Sequence, residues 1–205
     1  TGRRMRLDSL ADSDDLPVVQ GGDGDGAPAV GQVTRFIDSG VKDVFELRLR
    51  NGASLTATAD HPIFTERGWV RLGDLSVGDR VATPSRILRT GKPSLELDDD
   101  AIRAIGSRIT DQVPQEMFTG CDEQIARLLA ALWDRDGHVD TTVAYQTVSP
   151  QLARDVADLL LYLGIPSTVD DNPAGRHQVT VLDGVRFGET VQPLMTHPVK
   201  RAARI

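Results

Sequence analysis

The spacing of hydrophobic residues in the first 86 positions is that of β-strands. Phe45, Leu47 and Leu49 alternate with charged residues, which places them on one face of a strand. Asn51-Gly52 follows and predicts a hairpin whose second strand is ASLTATA. The segments PVVQ and AVGQVTRFI predict another strand pair joined by the turn GGDGDGAP, and TGRRMRLDSL predicts a short strand at the start. Residues 1–86 are therefore expected to be all-β.

Beyond this region the spacing becomes helical. DDAIRAIGSRI predicts a short helix. A longer helix is predicted from Asp122, which can cap it, to the segment DRDG. Its apolar stripe lies at the i, i+3, i+4 and i+7 positions Ile125, Leu128, Leu129 and Leu132.

A second long helix is predicted to begin at Ser149-Pro150, with Ser149 as its cap, and to end at Gly164. Its apolar stripe is Leu152, Val156, Leu159, Leu160 and Leu163. The strand candidates around it are TTVAYQT, PSTVD and HQVTVL. The order of these elements is αββαββ-like.

The composition limits the partners that can be expected. The net charge is −7, whereas proteins that grip duplex DNA present a basic face, so DNA binding would need a local basic patch such as GRRMR or KRAARI. A single cysteine, Cys121, excludes an internal disulfide. We see no apolar run long enough to span a bilayer and no leader segment, so we expect a cytoplasmic location without membrane contact.

The first chemical motif is Thr58-Ala59-Asp60-His61, followed by Gly68-Trp69 and the segment LGDLSVGD. A single Thr-x-x-His is weak, because a histidine before proline at a strand end is usually a surface or capping residue. The string from about Val33 to Pro84 nevertheless resembles the second conserved block of inteins and related Hint domains. The resemblance implies a mainly β, horseshoe-like splicing domain. It also implies that His61 contacts the scissile amide nitrogen and that Thr58 helps to hold the splice junction.

The second motif is LAALWDRDG, residues 129–137, which resembles the LAGLIDADG motif of homing endonucleases. The resemblance implies an α/β half-endonuclease in which Asp136 is the acid and the magnesium ligand, and Ala130 and Ala131 pack against a partner helix. The alternative is an amphipathic helix that ends in an Asp-Gly turn. VPQEMF and LARDVADLLLYLGI are most similar to inteins of bacterial replicative DNA helicases, and a polymerase or recombinase host stays open.

The sequence lacks several residues that members of these families need for activity. The chain begins Thr1-Gly2 without a Cys or Ser nucleophile, and neither Asn51 nor Asn172 suits a terminal His-Asn pair. No second acid-Gly helix end occurs, although residues 92–110 are where a first copy is expected. We therefore expect no splicing from this form of the chain, and a degenerate endonuclease. The expected division is the N-terminal part of a Hint domain at 1–86, a linker or degenerate first repeat at 87–119, and an endonuclease half at 120–205.

The expected partners are flanking extein segments of the host protein and double-stranded DNA. Splicing needs no cofactor, and magnesium is expected only if the endonuclease is active.

Cys121 is interpreted as a half-buried bystander, and the histidines at 138, 177 and 197 lack metal-ligand spacing. Lys200 and Arg201 fit a solvated charge run better than a remnant phosphate-contacting group. The alternatives are an active homing endonuclease, a splicing-dead structural relic, and a hedgehog-type autoprocessing domain.

Overall fold

The structure is a computed structural model that describes residues 7–11, 16–23, 25, 27–88, 92–172 and 175–204. The chain divides into two compact units. One contains the described residues up to Leu49 together with Ala53–Pro84, and the other contains Arg50–Gly52 and the chain from Ser85 onward. No helix among these described residues is long and apolar enough to cross a membrane.

The first unit is built from three antiparallel two-stranded ribbons. They are β1 (Val18–Gly22) with β2 (Pro28–Gln32), β3 (Phe45–Arg48) with β4 (Ser54–Ala57), and β5 (Pro62–Thr65) with β6 (Gly68–Arg71). Thr65 also pairs with Val81, which adds a third short segment beside β5. The alternating sequence pattern thus predicts the local pairing in this unit.

Three expectations for this unit need correction or lie outside the described residues. Leu7–Leu10 form a 3-10 turn and not a strand, and no strand in the described part of the chain pairs with them. β2 ends at Gln32 and does not reach residue 37, since its partner β1 is only five residues long. The basic segment at residues 2–6 and two glycines of the GGDGDG turn, Gly24 and Gly26, lie outside the described residues.

The Asn51-Gly52 hairpin has a three-residue loop. The Leu49 N–H donates to the Ala53 carbonyl over 2.8 Å, which closes the loop around residues 50–52. Gly52 has a φ of 82°, and among the described residues only glycines have a positive φ. A two-residue type I′ turn would need positive φ at both central residues, so this loop is the longer hairpin form with glycine in the left-handed position.

The second unit is a four-stranded antiparallel sheet covered by helices. Its strands are β7 (Gly137–Val139), β8 (Val143–Thr147), β9 (Ser167–Asn172) and β10 (Arg176–Val181), in the spatial order β7-β8-β10-β9. Its helices are α1 (Asp99–Gly106), α2 (Asp122–Asp136), α3 (Pro150–Tyr162), α4 (Gly184–Thr190) and α5 (Pro198–Ala202). The elements from α2 to β10 follow the predicted αββαββ order.

The core lies where α2 and α3 pack on one face of this sheet. The apolar stripe predicted for α2 is completely buried. The Trp133 ring lies 5.2 Å from the Tyr145 ring and 5.0 Å from the Phe187 ring, which joins α2 to β8 and α4. Burying a large apolar side chain contributes about 1.5–3 kcal/mol, so this cluster is the main source of stability in the unit.

The ends of the two long helices are set by capping groups. The Ser149 hydroxyl accepts from the Leu152 N–H over 3.1 Å, and Gly164 has a φ of 71° beyond the end of α3, as predicted. The predicted cap Asp122 is wrong by one residue. Cys121 is the N-cap, and its backbone N–H donates to the Gln124 side-chain oxygen over 2.9 Å. Asp122 instead occupies the first turn, where its charge complements the helix dipole.

Helix α1 packs closely beside α2 and runs in the same direction. Asp99 pairs with Arg127 over 2.7 Å near the start of α1, and Gly106 at its end lies against Ala131. A Cβ at Gly106 would lie 2.7 Å from the Ala131 Cβ, so only glycine fits there. The small residue Ala131 is thus covered by this chain's own α1. The segment from Leu95 to Phe118 also packs on the core, and the three-part division remains a prediction.

This contact predicts a thermodynamic coupling between Gly106 and Ala131. We expect Gly106→Ala to lower the free energy of unfolding by about 1–3 kcal/mol, because overpacking displaces α1. Ala131→Gly alone should cost about 1 kcal/mol of helix propensity. The double variant should be more stable than the sum of the two changes implies, as measured by urea unfolding followed by circular dichroism.

The matched control is Ala104→Gly, which removes the same methyl group from an exposed position of α1. Its effect should add to that of Gly106→Ala without coupling. Strict additivity for the Gly106 and Ala131 pair would show that the two helices do not meet at these residues.

Candidate functional sites

The Thr58-x-x-His61 motif forms the turn that joins β4 to β5. Thr58 directly follows β4 and His61 directly precedes β5. The His61 N–H donates to the Thr58 carbonyl over 3.0 Å, which closes a four-residue turn. Thr58 is half-buried and His61 is exposed. One short turn therefore presents a hydroxyl and an imidazole together.

The segment Leu72–Asp74 fixes this turn from the other side. Its 3-10 turn follows β6, and the Leu72 N–H donates to the His61 carbonyl over 2.8 Å. The Gly73 N–H donates to the Ala59 carbonyl, also over 2.8 Å. A Cβ at Gly73 would lie 3.0 Å from the Ala59 Cβ, so glycine permits the close approach. The LGD part of the sequence motif therefore holds the turn in place.

Asp60 lies in the same turn between Thr58 and His61, although the sequence motif did not indicate a role for it. The Thr58 hydroxyl donates to its carboxylate, and this bond lowers the pKa of Asp60 below its usual value. The backbone of Asp60 and the charges of Lys42 and Arg71 act in the same direction. The Thr58 hydroxyl is thus held in one direction. The expectation that His61 lies near the incoming start of the chain concerns residues outside the described ranges.

The LAALWDRDG motif ends with Asp136 as the last residue of α2. Gly137 follows with a negative φ of −85°, so it is not needed for a left-handed turn. A Cβ there would lie 2.3 Å from the Trp133 ring, and the glycine is required for this packing. The Asp-Gly end of the motif is therefore fixed by the buried tryptophan.

Arg135 engages Asp136 and the end of α1. Its Nε donates to the Asp136 carboxylate over 2.6 Å, and its Nη1 donates to the Ser107 carbonyl over 2.8 Å. Its Nη2 donates to the Ile109 carbonyl and lies 3.5 Å from the Tyr145 hydroxyl. Every nitrogen of this guanidinium thus has a partner within the chain.

Lys200 is bound to the end of α2 and is not part of a solvated charge run. Its Nζ donates to the Trp133 and Asp134 carbonyls over 2.8 and 2.9 Å. Burial lowers the pKa of Lys200, while Asp134 and Asp136 oppose that shift. Asp134 itself accepts from the Thr196 and His197 backbone N–H groups over 2.8 and 2.9 Å. The expected solvated run is therefore wrong for Lys200, although Arg201 is exposed.

A cavity of about 450 Å³ opens beside Asp136. Its lining combines the end of α1, the end of α2 and the two central strands of the sheet, β8 and β10. It contains three arginines and one carboxylate, with hydroxyl and amide groups between them. The lining residues are Ser107, Arg108, Thr110, Arg135, Asp136, Gln146, Thr147, Val148 and Arg176. The cavity is thus locally positive in a chain whose net charge is −7.

The residues around Asp136 do not fit a magnesium site. Magnesium prefers several oxygen ligands in octahedral geometry, but Asp136 is the only carboxylate among the described residues that line the cavity, and Arg135 already neutralises it. Asp134 is held by residues 196–197. Across the described ranges, no group of three or more His, Cys, Asp and Glu side chains could hold a metal ion.

Cys121 and the histidines at 138, 177 and 197 lie on different elements. Cys121 is half-buried at the start of α2. His138 is exposed and pairs with Asp140 over 2.8 Å, and His197 caps α5 by accepting from the Lys200 N–H. His177 lies in β10 opposite Thr147. These histidines are on separate elements, as their spacing suggests.

Part of the second unit resembles a described protein family. The family described as a LAGLIDADG-like domain matches residues 123–188, which run from α2 into α4 and include Asp136. The replicative DNA helicase DnaB of Rhodothermus marinus is 32% identical over 134 residues, which is 64% of this chain and 14% of the helicase. Protein RecA of Mycobacterium tuberculosis is 36% identical over 111 residues, which is 54% of this chain and 14% of RecA.

DnaB and RecA are hosts of inteins. Each shares with this chain a segment that amounts to only 14% of its length, as an inserted element would. The chain is an intein-like protein with a LAGLIDADG-like domain. A crystal structure of I-DmoI in complex with DNA and Mn is a more distant neighbour. It has a TM-score of 0.33 and 11% identity, and the match covers 72% of this chain and 87% of that one.

The environment of Asp136 predicts an abnormal titration of Tyr145 in this intein-like protein. Burial, followed by the Asp136 charge, raises the pKa of the Tyr145 phenol to about 12. The ordinary value is about 10, so an unfolded chain loses this proton first. The contribution of Tyr145 to stability should be complete below pH 10 and should disappear as the pH rises towards 12.

The measurement is a pH titration of tyrosinate absorbance in the native protein and in Tyr145→Phe. The difference between the two curves reports the ionisation of the Tyr145 phenol. We expect a single transition near pH 12. A transition near the ordinary tyrosine value in the folded protein would contradict the buried placement of Tyr145 beside Asp136.

Proposed function

We propose that the β-rich unit belongs to a Hint-type splicing domain and that the intact parent protein processes itself at a peptide bond. The observation that carries this proposal is the Thr58–His61 turn, which presents two chemically suitable groups from one rigid segment. The partners would be flanking extein segments of the host. A bacterial replicative DNA helicase is the first choice of host, and a recombinase is the second.

The proposed first step is an acyl shift at the N-terminal junction. The sulfur or oxygen of a Cys or Ser nucleophile forms a bond to the preceding carbonyl carbon, the C–N bond breaks, and the freed nitrogen gains a proton. An amide is more stable than a thioester or ester, so the step needs help at the nitrogen. His61 would supply that proton as a general acid, and the nucleophile's own proton would restore the imidazole.

Thr58 would act at the same bond through its hydroxyl. This hydroxyl donates to Asp60, so its oxygen lone pairs point away from that carboxylate and can accept from the junction backbone. The hydrogen bonds from Leu72 and Gly73 keep the turn from rearranging. A turn that is already ordered lowers the entropy cost of aligning the junction.

The test uses a precursor with a Cys-bearing reporter segment joined upstream and a His-Asn segment downstream. Thiol-induced release of the reporter, followed by mass spectrometry, measures the acyl shift. We expect His61→Ala to slow release about a hundredfold or more, since positioned acid–base groups contribute at least that much. Thr58→Val should slow it less, and Thr58→Ser should restore most of the rate.

The matched control is His138→Ala, which removes an exposed histidine from the LAGLIDADG-like domain. It should leave the rate within about twofold, because it does not change the proposed acid. Unchanged release in His61→Ala, with the variant still folded, would end the proposed role of His61.

A second candidate function is DNA contact by the LAGLIDADG-like domain, and the open face of the sheet favours it. Gln146 and Gln178 lie opposite each other on β8 and β10, and their side-chain amides are joined by a 3.1 Å hydrogen bond. The Gln178 amide also donates to the Thr180 hydroxyl over 3.1 Å. Amides on a sheet face can pair with base edges in the major groove.

This second candidate does not include cleavage, because the residues around Asp136 do not fit the required metal. It predicts that Gln178→Ala weakens binding of the full chain to its own insertion-site duplex. We expect a loss of about fivefold, the effect of one or two neutral hydrogen bonds, measured by fluorescence anisotropy.

Gln112→Ala is the control, because it removes the same amide from an exposed position that is not part of the sheet. It should bind the duplex as the unchanged protein does. Equal loss in both variants would mean that the sheet face does not contact the bases.

A further inference from the structure

The Asp136 carboxylate is paired with a cationic side chain of the chain itself, Arg135. The Arg135 guanidinium lies 2.6 Å from the Asp136 carboxylate, in a position where a metal ligated by that carboxylate would compete with it. Arg135 is also held by carbonyls of the segment after α1, so it is fixed and not a mobile surface side chain. Its side chain is 28% exposed, which limits solvent screening of the pair.

The charge balance of the cavity follows from this pair. Arg135 offsets Asp136, and the two remaining arginines of the lining, Arg108 and Arg176, are exposed and face no carboxylate in that lining. Three positive charges against one negative charge leave the cavity at +2. The hydroxyl groups of Thr110 and Thr147 and the second N–H of the Gln146 amide supply neutral hydrogen-bond donors.

We propose that this cavity binds a phosphate-class anion without a divalent metal, with Arg108 and Arg176 as its ligands and Arg135 taking the metal's place beside Asp136. Arginine presents a planar fork of donors that matches phosphate oxygens. The anion is a backbone phosphodiester of nucleic acid or a free phosphate. For the first of these sources the inference rests on the proposed DNA contact.

The role of Asp136 distinguishes this arrangement from a metal-dependent one. In a site where a metal bridges the carboxylate and the phosphate, removal of the charge from Asp136 abolishes binding. In the site proposed here, Asp136 is a negative charge close to the bound anion, and Arg135 is its direct ion-pair partner. Asp136→Asn keeps the shape and the hydrogen bond from Arg135, so it should strengthen anion binding.

The experiment measures binding of the full chain to a short DNA duplex of random sequence at low ionic strength, by fluorescence anisotropy. Each protein is measured in EDTA and in Mg²⁺. The proteins are the unchanged chain, Arg108→Ala/Arg176→Ala, Asp136→Asn and Arg154→Ala. Arg154 is an exposed arginine of α3 outside the cavity, so its variant matches one of the removed charges.

We expect equal binding in EDTA and Mg²⁺. The double arginine variant should bind about tenfold more weakly for each arginine removed, and the slope of log affinity against log salt should fall by about two. Asp136→Asn should bind several-fold more tightly, and Arg154→Ala should bind within twofold of the unchanged chain. A parallel titration with inorganic phosphate, followed by amide chemical shifts, should perturb residues 107–110 and 146–148.

The outcomes distinguish a nucleic-acid phosphodiester from a free phosphate as the bound anion. They also distinguish failure of this proposal from failure of the proposed DNA contact. Duplex binding that depends on both arginines supports a phosphodiester. Arginine-dependent binding of inorganic phosphate without duplex binding supports a free phosphate and removes the DNA-contact function. Duplex binding that responds to Gln178 but not to the arginines overturns the cavity and keeps the sheet contact. Binding that requires Mg²⁺ and is lost in Asp136→Asn overturns the proposal, as does the absence of any anion binding.

Discussion

The end of helix α2 is the point on which the second unit depends. The helix is buried along its apolar stripe, so its C-terminal carbonyls and the carboxylates of Asp134 and Asp136 meet in a partly buried place. A helix C-terminus carries a partial negative charge, and two acids there would repel each other without compensation. Arg135 and Lys200 supply the compensating positive charge, and each of these side chains donates to backbone carbonyls. The positions of α1 and α5 follow from these two cations.

The same constraint decides which chemistry this end of the helix can support. A metal-dependent nuclease needs carboxylates whose charge can offset that of the metal, whereas the charge of Asp136 is already offset by its neighbouring arginine. The match to the LAGLIDADG-like family covers residues 123–188, but the surroundings of Asp136 within that range do not fit a metal site. What remains available in the cavity is positive charge. An acidic chain can present a basic site when its carboxylates are compensated locally and its arginines are not.

The sequence predicted what depends on neighbouring residues and missed what depends on distant ones. Periodicity and caps identified α2 and α3, because their stripes are long and regular. The short α4 and α5 carry too few periodic residues to be recognised. Lys200 contacts carbonyls that lie 66 and 67 positions earlier, so nothing near it in the chain indicates a structural role. The order of the intein-like motif located the Thr58–His61 turn, but the support from Gly73 required the structure.

The β-rich unit shows how a rigid site can exist without a large core. Phe45 is 51% exposed. Among the described residues of this unit, the buried hydrophobic side chains are Leu10, Ile63 and Leu72. Apolar burial therefore cannot be what orders the Thr58–His61 turn. The turn is instead held by its own closing hydrogen bond and by two bonds from the Leu72–Asp74 segment. Hydrogen bonds between backbone groups fix direction as well as distance. The proposed alignment of the His61 imidazole with one amide bond therefore needs only local order, even where the surrounding sheet contributes little burial.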